Sequence, residues 1–367
     1  MTTTKSSLLS SLLVFLAAAP LAFAGFTADH HIRLLPENVL LGHYTSTKKP
    51  VLVVKSGETV TIDGGGGARW NAEAEADAWL KENKIPLTLA TSPTLAETAR
   101  VLKETPRAEG VPGGHMLVGP IYVEGAEPGD SLEVRVISVV PRIPYGTVGG
   151  GPGRGGLPDL SPAPFSYIVP LDLDRNADLY TDGVEVPLAP FMGVMGTCPP
   201  DTELPIRKSS APGLFGGNLD CKELTTGSTL YLPVFQKGAL FYTGDSHAAQ
   251  GDGEVTISAI ETANTATFRF ILHKGKTLKG PRAETPTHYI SFGLDPDLDK
   301  AMRNATIDAI DFLKEKQGYD FQRAYALCSI GVDFRVTQVV DGTVGIHGMI
   351  PKKLFTKTTD SYWYRKF

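Results

Sequence analysis

The stretch Phe241-Tyr242-Thr243-Gly244-Asp245-Ser246-His247-Ala248-Ala249-Gln250-Gly251-Asp252-Gly253-Glu254 places a cluster of reactive side chains at the end of an apolar β pattern. Segments of β type flank it, Thr229 to Leu240 before and Val255 to Ile260 after, so it reads as a strand, a Gly-punctuated turn and a second strand. Residues two apart in an extended chain share a face, which puts Asp245 beside His247 and Asp252 beside Glu254. Gly251 and Gly253 permit backbone angles that bend both pairs toward one point. Two readings follow: a polar hairpin whose Asp and Gly residues serve turn geometry, or a site where three carboxylates, the His247 imidazole and the Gln250 carboxamide converge.

Outward from this stretch the composition is that of a β-rich fold with many turns, since 39 Gly and 27 Pro in 367 residues leave little room for long helices. At the amino end Lys5 precedes an apolar run from Leu8 to Ala24 that closes on Ala22-Phe23-Ala24, the pattern of a cleaved leader. Its uninterrupted apolar core, Leu12 to Ala24, is shorter than the roughly 20 residues that span a bilayer. Residues 1–24 therefore read as a signal peptide and the protein as periplasmic or secreted, with no membrane segment after its removal. A formal charge of −5 gives no basic excess, so nucleic acid is not an expected partner. Cys198, Cys221 and Cys328 allow at most one disulfide and read as small buried hydrophobes.

Val51, Val53, Val60 and Ile62 supply an inward face to two early strands, while His30, His31 and His43 lack any ligand spacing. Between Gly64 and Pro112 the pattern turns helical, over Arg69 to Asn83 and over Thr94 to Lys103 with Ser92 or Thr94 as cap, and reads as an insertion or lid. The four glycines at its start carry no Lys-Ser or Lys-Thr, and the glycine-rich segment Gly146 to Gly156 runs into Leu157-Pro158, which forbids the helix of a nucleotide fold. That second segment reads as a mobile rim over a pocket. Val118 to Val123 and Ser131 to Val140 form a β-turn-β unit. Cys221-Lys222-Glu223 is no catalytic triad, because Cys221 and Glu223 share a strand face while Lys222 points away, and Lys208-Ser209-Ser210 lacks the helix of a serine amidase. Asp299 to Lys316 is the strongest helix, its stripe made by Ala301, Ala305, Ile307, Ile310, Phe312 and Leu313. A hairpin across Asp341-Gly342 follows, and this end reads as packing without chemistry. The expected fold is β-rich α+β: a β-sandwich-like core of mostly antiparallel strands with a smaller C-terminal α/β part over 295–367.

The segments GPIYVEGAEPGDSLEVRV (119–136), PLAPFMGVMG (187–196), GGNLDCKEL (216–224), GSTLYLPVFQKGALFYTGDSHAAQGDGEV (227–255) and AYALCSIGVDFRVTQVVD (324–341) resemble the acetamidase/formamidase family in order and spacing. The resemblance implies hydrolysis of short linear amides to a carboxylate and ammonia, a homo-oligomer, and a bound divalent metal, zinc or calcium. It maps the family's Asp/His/Gln/Asp/Glu box onto Asp245, His247, Gln250, Asp252 and Glu254, its Gly-Gly-Asn-x-Asp box onto Asn218 and Asp220, and its Gly-x-His and Val-Glu-Gly-Ala elements onto His115 and Glu124. Residues 64–112 and 149–156 fit the family loosely.

Amide hydrolysis needs an activated water, a stabilised oxyanion and an acid for the departing ammonia. The expected metal ligands are Asp220, Asp245 and His247; Glu254 is the expected base and acid, with His247 and Asp252 beside it as catalytic groups. Gln250, Asn218, His115 and Glu124 are the expected substrate contacts. A metal-free route has Glu254 activate water directly. A non-catalytic exported binding protein that keeps the fold is the alternative of another class, and it predicts these side chains scattered over different faces.

Overall fold

Val60 with Ile62, Val134 with Val136 and Phe268 with Phe270 each give a strand a face to bury, and the chain satisfies these faces by stacking two sheets. The computed structural model describes residues 26–66, 73–111 and 113–357. Among the described residues the larger sheet has nine strands, in the order His30–Ile32, Thr59–Asp63, Asn264–His273, Ser131–Pro141, Thr229–Pro233, Arg282–Glu284, His288–Asp295, Val344–Pro351 and Asp333–Gln338. The smaller sheet runs Gly216–Asn218, Phe191–Gly196, Phe241–His247, Met116–Val123 and Val39–Leu41, with Leu52–Val54 also paired to Met116–Val123. Within these sheets the described pairs are antiparallel except His30–Ile32 on Thr59–Asp63 and Leu52–Val54 on Met116–Val123. Phe241 of the smaller sheet meets Phe268 and Phe270 of the larger one edge-on, at 5.9 and 5.1 Å between ring centroids. Each such pair adds about 0.5–1.5 kcal/mol beyond the area buried, so the expected sandwich is anchored directly behind the stretch of interest.

The C-terminal helix Leu298–Gln317 begins at Asp297, whose carboxylate accepts from the Asp299 and Lys300 amides, and stops at Gly318 with φ 68°. It buries Ala301, Ala305, Ile310, Phe312 and Leu313 as expected, whereas Ile307 is 43% exposed and falls off the stripe. Helices Glu73–Glu82 and Pro93–Glu104 pack together over Ile143 and Tyr145, the second capped by Ser92; the expected start of the first, from Arg69, lies outside the described residues. Glu97 ties this helical pair to the sheets, bonded to Arg142 at 2.6 Å and to Arg33 at 2.8 Å.

Two expectations are corrected. Tyr145–Gly150, read as the start of a mobile rim, is a strand paired with Phe165–Asp172. Its first glycine serves close approach: a Cβ on Gly146 would lie 2.4 Å from Ile260 Cγ2. Val255 to Ile260 forms no strand: Glu254 and Ile257 hold left-handed backbone angles, φ 44° and 64°, and the Ile257 amide closes a turn on the Glu254 carbonyl at 2.9 Å.

Candidate active site

His247 ends the strand Phe241–His247 with its ring buried edge-on against Phe191, 5.0 Å between centroids, and its carbonyl accepting from Asn264 Nδ2 at 2.9 Å. Gln250 orients the ring. Its Nε2 donates to the Asp220 carbonyl at 2.7 Å, and since a carbonyl can only accept, Gln250 Oε1 must be the atom that faces His247 Nδ1 at 3.1 Å. Nδ1 therefore carries a proton and Nε2 is left to face Asp245 Oδ2 at 3.2 Å and Glu261 Oε2 at 3.4 Å. Asp220 Oδ1 lies 3.8 Å from Nδ1, and the Asp220, His247 and Glu254 ligand atoms fall within 4.8 Å of one another, as do those of Asp245, His247 and Glu261. Gly193, on Phe191–Gly196, forms the floor: its carbonyl accepts from the Asp220 amide at 3.2 Å, and it has no side chain to fill the space between Asp220 and Asp245.

Three of the carboxylates stand on strained backbone, Asp220, Asp245 and Glu254 having φ of 48°, 59° and 44°. Such angles cost a non-glycine residue about 1–3 kcal/mol each and gather where function requires a particular side-chain direction. Asp245 gains the left-handed kink inside a strand, which lets its carboxylate and that of Glu261 meet the same ring nitrogen. His115 Nε2 approaches Asp245 Oδ2 at 4.0 Å, and His115, Arg154, Asp245 and Glu261 line a cavity of about 370 Å³. A second cavity, about 630 Å³, opens beside Gln250 and Glu254 and is walled by Phe165, Tyr167 and Tyr180.

The charges are set against one another. Burial favours neutral His247, but Asp245 and Glu261 outweigh it and hold the imidazole protonated well above its usual pKa. Burial also works against charge on Asp245, where His247 and His115 prevail and lower its pKa. Asp220 goes the other way, pushed well up by burial and by the Glu254, Asp341 and Asp245 charges. Glu254 is raised well above the glutamate range by burial, with Asp341, Glu261 and Asp245 adding to it against His247. Burial lifts Asp341 to about 6. Too many carboxylates thus share one imidazolium, a set that a divalent cation would neutralise.

Of the residues expected at the site, the structure brings together Asp220, Asp245, His247, Gln250, Glu254, Asn218 and His115. Asn218 is 2% exposed and spends both Nδ2 hydrogens, on the Ser210 carbonyl at 3.1 Å and Asp341 Oδ2 at 3.0 Å; its Oδ1 has no partner among the described residues. Asp252 stays out of the cluster, because residues 248–254 leave the strand and turn it outward to Lys222 Nζ at 3.0 Å. Glu124 is exposed at the opposite end of Met116–Val123, about 30 Å from His115 at strand rise. Sequence reasoning passed over Glu261, Asp341, Gly193 and Arg154. Glu261 is the antiparallel bridge partner of His247 and so presents its side chain beside it. Asp341 shows that the C-terminal hairpin, read as packing alone, supplies part of the site.

The donor set fits the implied metal on two observations: His247 Nε2 and Asp220 Oδ1 are buried without a hydrogen bond among the described residues, and both belong to clusters of ligand-type atoms. A β-sandwich holding one buried imidazole among converging carboxylates carries groups of the kind that activate water or hold a cation. The Acetamidase/Formamidase family profile matches residues 107–212 and 206–357. The chain belongs to that family, and membership places it among amidases, hydrolases of C–N bonds other than peptide bonds. It is 28% identical over 293 residues to an acetamidase of Mycolicibacterium smegmatis, covering 58% of this chain and 72% of that one. A formamidase of Methylophilus methylotrophus is 29% identical over 304 residues, covering 62% and 73% respectively. The crystal structure of an acetamidase from Bacillus halodurans superposes with a TM-score of 0.71 at 28% identity, over 89% of this chain and 99% of that one.

Proposed function

We propose that this protein cleaves short linear amides of the formamide and acetamide type to a carboxylate and ammonia, with a metal-activated water, at the centre built on His247. The observation that carries the reading is the convergence of two carboxylates on one buried ring nitrogen, His247 Nε2 lying 3.2 Å from Asp245 Oδ2 and 3.4 Å from Glu261 Oε2. A divalent ion held by His247 with Asp220, Asp245 and Glu261 would supply a Lewis acid; zinc there would lower a water's pKa from about 15.7 toward about 7, whereas calcium would mainly polarise and position it. Glu254, buried and with its pKa raised, takes the proton from water and returns it to the departing nitrogen. Gln250 holds the His247 ring in one tautomer. Asn218 Oδ1 is available to accept from the amide NH₂, Arg154 brings positive charge to the cavity where the oxyanion develops, and His115 lines the same cavity.

Ammonia release from formamide, acetamide, longer amides and urea tests this directly, with protein as purified, stripped by chelator and reloaded. Activity is expected on the short amides, lost on stripping and regained on reloading. Full turnover by the stripped protein would leave the metal without a role, and no ammonia from any amide would favour the non-catalytic reading. A second result concerns pH. Glu254 must be ionised to act as base; without a cation its pKa is held above the ordinary glutamate range, and a bound divalent ion would draw it, and with it the acid limb of kcat/KM, downward. Asp341→Asn removes one of the negative charges that raise it while keeping an acceptor for Asn218, so the acid limb is expected to move to lower pH; an unmoved limb assigns the base elsewhere.

Export and self-association complete the proposal. Lys5 and the apolar run to Ala24 support the first. The exposed aromatic pair Tyr167 and Tyr180, 53% and 46% accessible, supports the second as a surface for another copy. Among the described residues no helix is long and apolar enough to cross a membrane.

A further inference from the structure

Directly after Asp220 the chain buries a second group of ligand-type side chains that the amide chemistry leaves unused. Cys221 and His347 are 1% and 0% exposed, and the Glu223 side chain 10%. Cys221 Sγ lies 3.4 Å from Glu223 Oε2, and His347 Nε2 lies 3.2 Å from the same oxygen. The other ring nitrogen, Nδ1, bonds Thr337 Oγ1 at 2.8 Å, which turns Nε2 toward the thiol and the carboxylate. Nε2 is buried and makes no hydrogen bond of its own among the described residues. The three ligand atoms fall within 4.8 Å of one another.

A plain imidazolium–carboxylate pair is the ordinary explanation, and two features count against it. Glu223 already has a cation, Arg335 Nη1, at 3.1 Å from its Oε1, so its charge does not require a protonated His347. The spacing also has a second meaning. Zinc bonds of about 2.3 Å to sulfur and about 2.0–2.2 Å to nitrogen and oxygen give tetrahedral S···O and N···O edges of about 3.5 and about 3.3 Å, close to the observed 3.4 and 3.2 Å. A thiolate and a carboxylate would neutralise a divalent ion, and a sulfur–nitrogen–oxygen set selects zinc over calcium, which takes oxygen ligands.

We propose that Cys221, Glu223 and His347 form a zinc site separate from the His247 centre. Thr337 is its orienting partner. Binding displaces the thiol proton and any proton on Nε2 to solvent. The bound ion pins the strand Val344–Pro351 to the loop that follows Gly216–Asn218 and carries Asp220, and so fixes the wall of the active site from behind.

Cobalt(II) added alone to the metal-stripped full-length protein tests the assignment without measuring turnover. A thiolate-to-cobalt charge-transfer band in the near ultraviolet is expected, because the His247 centre offers no sulfur. The band should disappear in Cys221→Ser and in His347→Gln, and persist in His247→Ala and in the double variant Cys198→Ser/Cys328→Ser. Native mass spectrometry of zinc-loaded His347→Gln should show one ion fewer per chain than the parent. Absence of the band in the parent protein, its survival in Cys221→Ser, or its loss when only Cys198 and Cys328 are replaced would each overturn the proposal. Should Cys221→Ser fail to fold, the double variant, with Cys221 as its sole thiol, decides the matter by keeping or losing the band.

Discussion

Gly193→Ala is expected to abolish most amide turnover in a protein that still folds. Gly193 lies across the strand pair from Asp245, between the registers Met192 with Ser246 and Val194 with Gly244. A methyl group there would stand 2.3 Å from Asp220 Oδ1, 2.5 Å from Asp245 Oδ2 and 3.0 Å from His247 Cε1. None of these can retreat easily: Asp220 and His247 are buried, and Asp245 is held on left-handed backbone. Overpacking of this kind costs about 1–3 kcal/mol, and a displacement of about 1 Å at a reacting centre costs about 10²-fold in rate. The expected result is a fall in kcat/KM of about 10²-fold or more with a modest drop in Tm. Ammonia assays beside thermal unfolding read both, and parental turnover would show that the space above Gly193 is no part of the site.

His247→Ala carries the largest expected loss, about 10³-fold or more in kcat/KM, because it removes the nitrogen on which the carboxylates converge. Metal content should fall with it. Stability should fall as well, in a pH-dependent way. In the metal-stripped protein the folded state holds His247 protonated well above the usual histidine pKa. The stabilisation is therefore complete below the unfolded value and is lost only as pH rises through the elevated folded one. The variant should lag the parent most at acidic and neutral pH and approach it in alkali. Unchanged activity and metal content would remove His247 from the centre altogether.

Much of the scaffold could be read from local pattern, because its signals are local: Ser131–Pro141 alternates, Leu298–Gln317 carries a cap, a stripe and a terminal glycine, and the pairing of Asp245 with His247 follows from strand geometry. What was missed depends on contacts between distant segments. Glu261 joins His247 through a bridge, and Asp341 arrives through a hairpin that begins many residues later. The spacing of two misled at Asp252 because the turn after His247 is not extended. The left-handed angles at Asp220, Asp245 and Glu254 have no signature in residue type, since only glycine advertises them. Gly193 matters for the volume it leaves empty, which nothing in its neighbours' identities announces.

The last hairpin has a bearing on how the protein is made. Gly253 donates to the Thr337 carbonyl at 3.3 Å and accepts from the Val339 amide at 3.1 Å, one residue before the proposed base, and Asp341 bonds Asn218. A polypeptide still leaving the ribosome therefore lacks a wall of its own reaction chamber until residue 341 has been added. Nascent chains, and chains released before that residue, should be inert.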